Sequence, residues 1–150
     1  MRMWFIPSMG DQNTLYILKV TNARWTLFHY QIYMHRATSD DHYYNDPVIE
    51  YFNNPLVDSV VMKSVSPQKT EWKAYINSLQ LDSLWDLQTE SSIRGMPVVV
   101  VDGNRYILEL NKKGKYKYLF YTTLENFQAN NNNLKRFMEF KKRLLDQIIY

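Results

Sequence analysis

The strongest constraint on the fold is a run of strand-forming residues from Trp25 to Arg36. It is entered from a shorter run, Leu15-Tyr16-Ile17-Leu18-Lys19-Val20, across Thr21-Asn22-Ala23-Arg24. β-Branched and aromatic side chains suit a pleated, half-buried surface, and a short polar break between two such runs predicts a hairpin. In the longer run Phe28, Tyr30, Ile32 and Met34 alternate with Leu27, His29, Gln31, Tyr33 and His35. The first set is the cleaner apolar face, so period two assigns it to the core and puts His29 and His35 on the opposite face.

Further strands are expected over Val57–Val65, Val98–Val101, Tyr106–Leu110 and Tyr116–Thr123. Asp102-Gly103-Asn104 and Asn111-Lys112-Lys113-Gly114 lie between the last three and carry turn chemistry, which predicts a meander. Ser66 followed by Pro67 reads as the start of a helix in which Trp72, Tyr75, Ile76 and Leu79 recur at helical spacing. Leu81, Leu84, Trp85 and Leu87 extend that apolar run. A second stripe, Leu134, Phe137, Met138, Lys141, Leu144, Leu145, Ile148 and Ile149, predicts a terminal helix with Asn133 as its N-cap. The expected architecture is α+β: an antiparallel sheet of five to six strands with two helices on one face, formed by residues 1–150 as a single domain.

Composition narrows the class. Hydrophobic residues make up 45% and charged residues 22% of the 150 residues, close to globular averages, and no apolar run is long enough for a transmembrane segment. A chain of this size buries about 68–70% of its unfolded surface, so its core needs no covalent staple. There are 0 cysteines, which excludes disulfides, thiolate metal sites and a cysteine nucleophile. With 4 glycines, a phosphate-cradling loop is disfavoured, and no cofactor is implied. The start, Met1-Arg2-Met3-Trp4-Phe5-Ile6-Pro7, is too short an apolar run for a secretory signal. An envelope or periplasmic location would require a leader upstream of it; otherwise the expected location is cytoplasmic.

Charge is uneven along the chain. Residues 1–104 hold 8 Lys/Arg against 11 Asp/Glu, a balance of −3, whereas residues 105–150 hold 10 against 4, a balance of +6. Such asymmetry suits an anionic partner, and equally a solvated helix face beside a charged hairpin.

Several groupings carry possible chemistry. Residues 37–55 form a long polar loop containing Tyr43, Tyr44, Tyr51 and Phe52, and loops of that length in a domain are commonly functional. These four aromatics are the candidate binding anchors, since aromatic side chains dominate interface hot spots. His29, His35 and His42 with Asp40 and Asp41 are the one set of metal-ligand type, at spacings that match no compact ligand motif. Glu109 sits in an apolar strand, either as an isolated acid or paired across strands with Lys117. Lys112-Lys113-Gly114-Lys115-Tyr116-Lys117-Tyr118 interleaves cations with rings, as single-stranded nucleic-acid surfaces do, but period two separates Tyr116, Tyr118 and Phe120 from Lys115 and Lys117.

Trp4-Phe5 near an opening strand, Leu84-Trp85-Asp86-Leu87, Asp102-Gly103 followed by Tyr106-Ile107-Leu108-Glu109, and Tyr116 at the next strand are spread over nearly the whole chain. With these residues the sequence resembles a family of small uncharacterised bacterial proteins, many of them exported or lipid-anchored. It departs from their pattern at Thr122-Thr123-Leu124, where an aromatic residue and a proline are usual. The resemblance implies an envelope location and no particular reaction. The expectation is therefore a non-enzymatic binding or accessory protein that recognises a protein or an envelope component. The alternatives are a small metal-dependent hydrolase built on the His/Asp set and, behind it, single-stranded nucleic-acid binding.

Overall fold

In a computed structural model, which describes residues 1–7, 11–35, 56–67, 71–94, 103–122, 131–146 and 148–149, Asn22 and Ala23 take left-handed backbone angles, φ 51° and 61°. They reverse the chain between β2 (Gln12–Thr21) and β3 (Arg24–His35). Positive φ at both central residues matches the right-handed twist of paired strands. The ladder accordingly runs unbroken from Thr21 opposite Arg24 to Gln12 opposite Tyr33. Lys113 and Gly114, at φ 50° and 77°, make the same reversal between β5 (Arg105–Lys112) and β6 (Lys115–Thr122).

β1 (Arg2–Ile6) lies between these two hairpins, antiparallel to β2 on one side and to β5 on the other. β4 (Leu56–Pro67) pairs with β3, and the two-residue β7 (Ile148–Ile149) pairs with the end of β4, giving the order β6-β5-β1-β2-β3-β4-β7. The expected antiparallel α+β sheet is present. Its pairing is partly unexpected: β5 is flanked by β1 and β6, while Val98–Val101 lies outside the described residues. In β4, Met34 faces Val57 and Tyr33 faces Ser59, so Asp58 is the extra residue of a bulge.

Two helices cover one face. α1 (Trp72–Leu79) buries Tyr75 and Leu79, and α2 (Asn132–Leu145) buries Leu134, Phe137, Phe140 and Leu144. Between α1 and β5, two short 3₁₀ turns, Leu81–Asp86 and Glu90–Ser92, carry Leu84 and place Leu87 in the same core. Two helix starts differ from expectation. Ser66 and Pro67 belong to β4, opposite Ile149 and Ile148, and α1 begins at Trp72 behind Glu71. The N-cap of α2 is Asn131, whose side chain accepts from the amides of Asn133 and Leu134 at 2.9 and 3.2 Å. Asn133 instead reaches out of the helix, donating to the Gln88 carbonyl and accepting from the Gln88 amide, both at 2.8 Å.

The core face of β3 also reverses expectation. Leu27 is fully buried and His29 is 4% exposed, both facing the helices, whereas Phe28 and Tyr30 are half-buried on the other side. The register explains this. Leu27 is paired with Leu18 and Val65, and both of those lie under the helical layer.

Among the described non-glycine residues Ala23 has the most positive φ, 61°, and its methyl side chain lacks the local hydrogen bonding that Asn offers. Ala23→Gly should stabilise the protein by about 1 kcal/mol, seen as a higher urea midpoint with an unchanged slope.

Candidate functional site

The register sorts side chains into rows that cross the whole sheet. On the face turned away from the helices, Phe120, Ile107, Trp4, Leu15, Tyr30 and Met62 stand in one row from β6 to β4. The next row is Tyr118, Glu109, Arg2, Ile17, Phe28 and Ser64. A soluble antiparallel sheet with one free face usually makes that face polar. Here it is largely apolar and aromatic, with Tyr116, Tyr118 and Met62 58%, 49% and 57% exposed.

The few charges on this face are held in place. Glu109 accepts from the indole Nε1 of Trp4 at 3.1 Å, from Arg2 Nη1 at 3.5 Å and from the Tyr116 hydroxyl at 3.3 Å. Its cross-strand ionic partner is thus Arg2, directly opposite it, and not Lys117. Lys117 faces the helical layer opposite Leu110 and donates to the Trp85 carbonyl. With three donors gathered on one half-buried carboxylate, Glu109 orders Trp4 and Tyr116 rather than standing ready as a general acid. On the β2–β3 side, the Lys19 ammonium lies 5.1 Å from the centre of the Phe28 ring.

The lysine hairpin turns its cations elsewhere. Lys112, Lys113 and Lys115 line a cavity of about 310 Å³ with Trp85 and Asp82, at the edge of the helical face. Lys112 pairs with Asp82 at 2.5 Å. Tyr116 and Tyr118 are thus exposed on one face of β6, and Lys115 and Lys117 serve the other. Leu119 and Tyr121, of the same parity as the lysines, are the residues that β6 contributes to the core.

On the helix-facing side, the row Leu119, Leu108, Met3, Tyr16, His29 and Lys63 passes from apolar to charged as it crosses from β6 to β4. His29 stacks on Tyr16, with ring centres 4.9 Å apart and planes 17° from parallel. Burial, aided by the Lys63 ammonium opposite, holds its pKa below the ordinary histidine value.

The loop anchors Tyr43, Tyr44, Tyr51 and Phe52 lie outside the described residues, as do Asp40, Asp41 and His42. His35 is the last residue of β3, opposite Leu56. Among the described residues no three His, Asp or Glu side chains are grouped to hold a metal ion, and no helix is long and apolar enough to cross a membrane. The exposed aromatic sheet face was missed from sequence because Trp4, Ile107 and Phe120 lie far apart in the chain. One signal was available: in Tyr116–Tyr121, Leu119 and Tyr121 form an apolar pair on the lysine-bearing parity. No family model, curated protein or solved structure matches this chain.

His29 generates a pH prediction. Its folded pKa lies below the unfolded value of about 6.5, so its contribution to stability is complete above that pH. It is lost as pH falls through the folded pKa, because the unfolded state then binds the proton more readily. Denaturation midpoints of the native chain should decline over that interval, and His29→Phe should flatten that part of the decline.

Proposed function

We propose that this chain is a non-enzymatic binding module that recognises a protein or an envelope component. The observation that carries the reading is the aromatic sheet face, on which Tyr116 and Tyr118 are exposed beside the Trp4–Glu109–Arg2 network. Tyr, Trp and Arg are the side chains on which binding energy concentrates. A sheet also holds them rigidly, so little ordering entropy is lost on binding. Glu109 and Arg2 supply polar groups that orient a partner on a surface otherwise apolar. The loop aromatics Tyr43, Tyr44, Tyr51 and Phe52 belong to the same proposal as additional anchors. The envelope half of the reading draws on the family resemblance.

The split between tyrosines and lysines on β6 favours a protein-type partner over single-stranded nucleic acid. Base stacking and phosphate neutralisation must act on the same strand of ligand, and here the rings and the cations lie on opposite faces. Retention on single-stranded DNA or RNA that falls steeply with added salt would reverse that preference.

The test is quantitative capture of a partner from the native host extract by immobilised protein, followed by affinity measurement with the purified partner. Tyr116→Ala combined with Tyr118→Ala should weaken binding at least about 30-fold, equivalent to roughly 2 kcal/mol. The far-ultraviolet spectrum should not change, since neither side chain is in the core. Replacing Tyr43, Tyr44, Tyr51 and Phe52 together by alanine measures the loop's share. Unchanged affinity in both sets of variants would remove the proposal.

A further inference from the structure

The β5–β6 hairpin ends in an unfavourable cluster of like charges. Lys112 and Lys115 form the last pair of the ladder, directly opposite each other, and Lys113 follows in the turn at φ 50°. Like charges directly opposite on a sheet repel and weaken the pairing. Asp82 offsets part of this by pairing with Lys112 at 2.5 Å. Among the described residues no carboxylate pairs with Lys113 or Lys115. Asp86, the other acid of the 3₁₀ turn Leu81–Asp86, instead lies 3.9 Å from Arg136 of α2. The three lysines, Asp82 and the half-buried Trp85 line the cavity of about 310 Å³. Its walls are largely apolar atoms, as expected where lysines lay their methylene stems along a surface and keep their ammoniums in water. Trp85 is held in place from two sides. Lys117 donates to its carbonyl, and Arg136 donates to the Ser83 carbonyl of the same turn at 2.8 Å.

We propose that this cavity binds a small organic anion, with a flat apolar body against Trp85 and an oxyanion group such as phosphate held by Lys113 and Lys115. The size of the cavity suits a body of one or two rings, since it stands at the lower end of small-molecule sites, which span about 300–1,000 Å³. Charge selects the sign of the ligand, because three ammoniums face one carboxylate. An oxyanion there also relieves the repulsion between Lys112 and Lys115, so binding and hairpin stability are coupled. Apolar walls select the body, which a bare inorganic ion lacks. Trp85 and these cations lie around one cavity, whereas Tyr116 and Tyr118 lie on the opposite face of β6 from Lys115. Ring and charge can therefore act here on a single ligand. The site is on the helical side of the sheet and does not rest on the proposed binding face.

The probe is 1-naphthyl phosphate, titrated into the full chain at low ionic strength and followed by calorimetry and by amide and indole N–H chemical shifts. Saturable one-to-one binding should shift the Trp85 indole and the amides of Lys113 and Gly114. Inorganic phosphate, which has the charge without the rings, and 1-naphthol, which has the rings without the charge, should each bind at least about 10-fold more weakly. Lys113→Asn combined with Lys115→Gln should weaken 1-naphthyl phosphate about 10-fold. Asparagine tolerates the left-handed turn at position 113, so the hairpin should survive. Asp82→Asn should tighten binding about 3-fold by removing the competing carboxylate and freeing Lys112, a gain that a purely structural role for Asp82 does not give. Tyr116→Ala with Tyr118→Ala should leave the affinity unchanged, which separates this site from the outer sheet face. Absence of a saturable shift at Trp85, equal binding of inorganic phosphate, or an affinity unmoved by both the lysine pair and Asp82→Asn would overturn the proposal.

Discussion

The packing of Phe137 onto Tyr106 and Tyr121 is the contact on which the two layers depend. Its ring centre lies 6.1 Å from Tyr106 and 4.6 Å from Tyr121, neighbours across β5 and β6, and all three side chains are fully buried. Burying phenols would be costly if their hydroxyls lacked partners. Lys141 donates to the Tyr106 hydroxyl at 2.8 Å while its ammonium lies 4.3 Å from that ring's centre. Tyr121 donates to the Gln88 carbonyl at 2.6 Å, and Tyr75 donates to the Leu144 carbonyl at 3.0 Å. Each phenol therefore contributes apolar area to the core and fastens a connecting segment or a helix end. Burial pushes the Tyr121 pKa up to about 12, so that fastening is insensitive to physiological pH.

This packing is concentrated over β6, β5 and β1, and its reach limits the rest of the molecule. Toward β4 one helix-facing row changes from leucine and tyrosine to His29 and Lys63, while the neighbouring row keeps Leu18, Leu27 and Val65 in the core. The outer face does the opposite and stays apolar from Phe120 to Met62. A sheet rigidified from one side can thus present aromatic side chains on the other in fixed positions, which is the physical basis for reading the molecule as a binding surface.

Much of the architecture was legible because local chemistry and tertiary structure agree. Asn22-Ala23 and Lys113-Gly114 reverse the chain where short polar breaks separate strand formers, and the stripe containing Leu134, Phe137 and Leu144 faces the sheet. The errors occur where tertiary context decides. In β3, the Phe28 set is more apolar than the set holding His29 and Gln31, yet Leu27 lies between Leu18 and Val65 under the helices and so directs the opposite face inward. In the asparagine run, position alone could not separate Asn131 from Asn133, because the choice rests on Gln88 holding the latter. Ser66-Pro67 has the form of a helix start, but pairing with β7 keeps it extended. The candidate surface was least legible because its members meet only through the pairing of β1 with β5.

That pairing also sets an order of events during synthesis. Arg2 and Glu109, which stand side by side in the sheet, are 107 residues apart in the chain. β2, β3 and β4 can associate through nearer contacts while the ribosome is still at work, but β1 must wait for β5 before its second edge is satisfied. Contacts of such long range close slowly because much chain entropy is lost before they form. The nascent chain therefore carries a half-sheet whose β1 edge stays open until β5 has been made, and the later strands β6 and β7 then close the two rims.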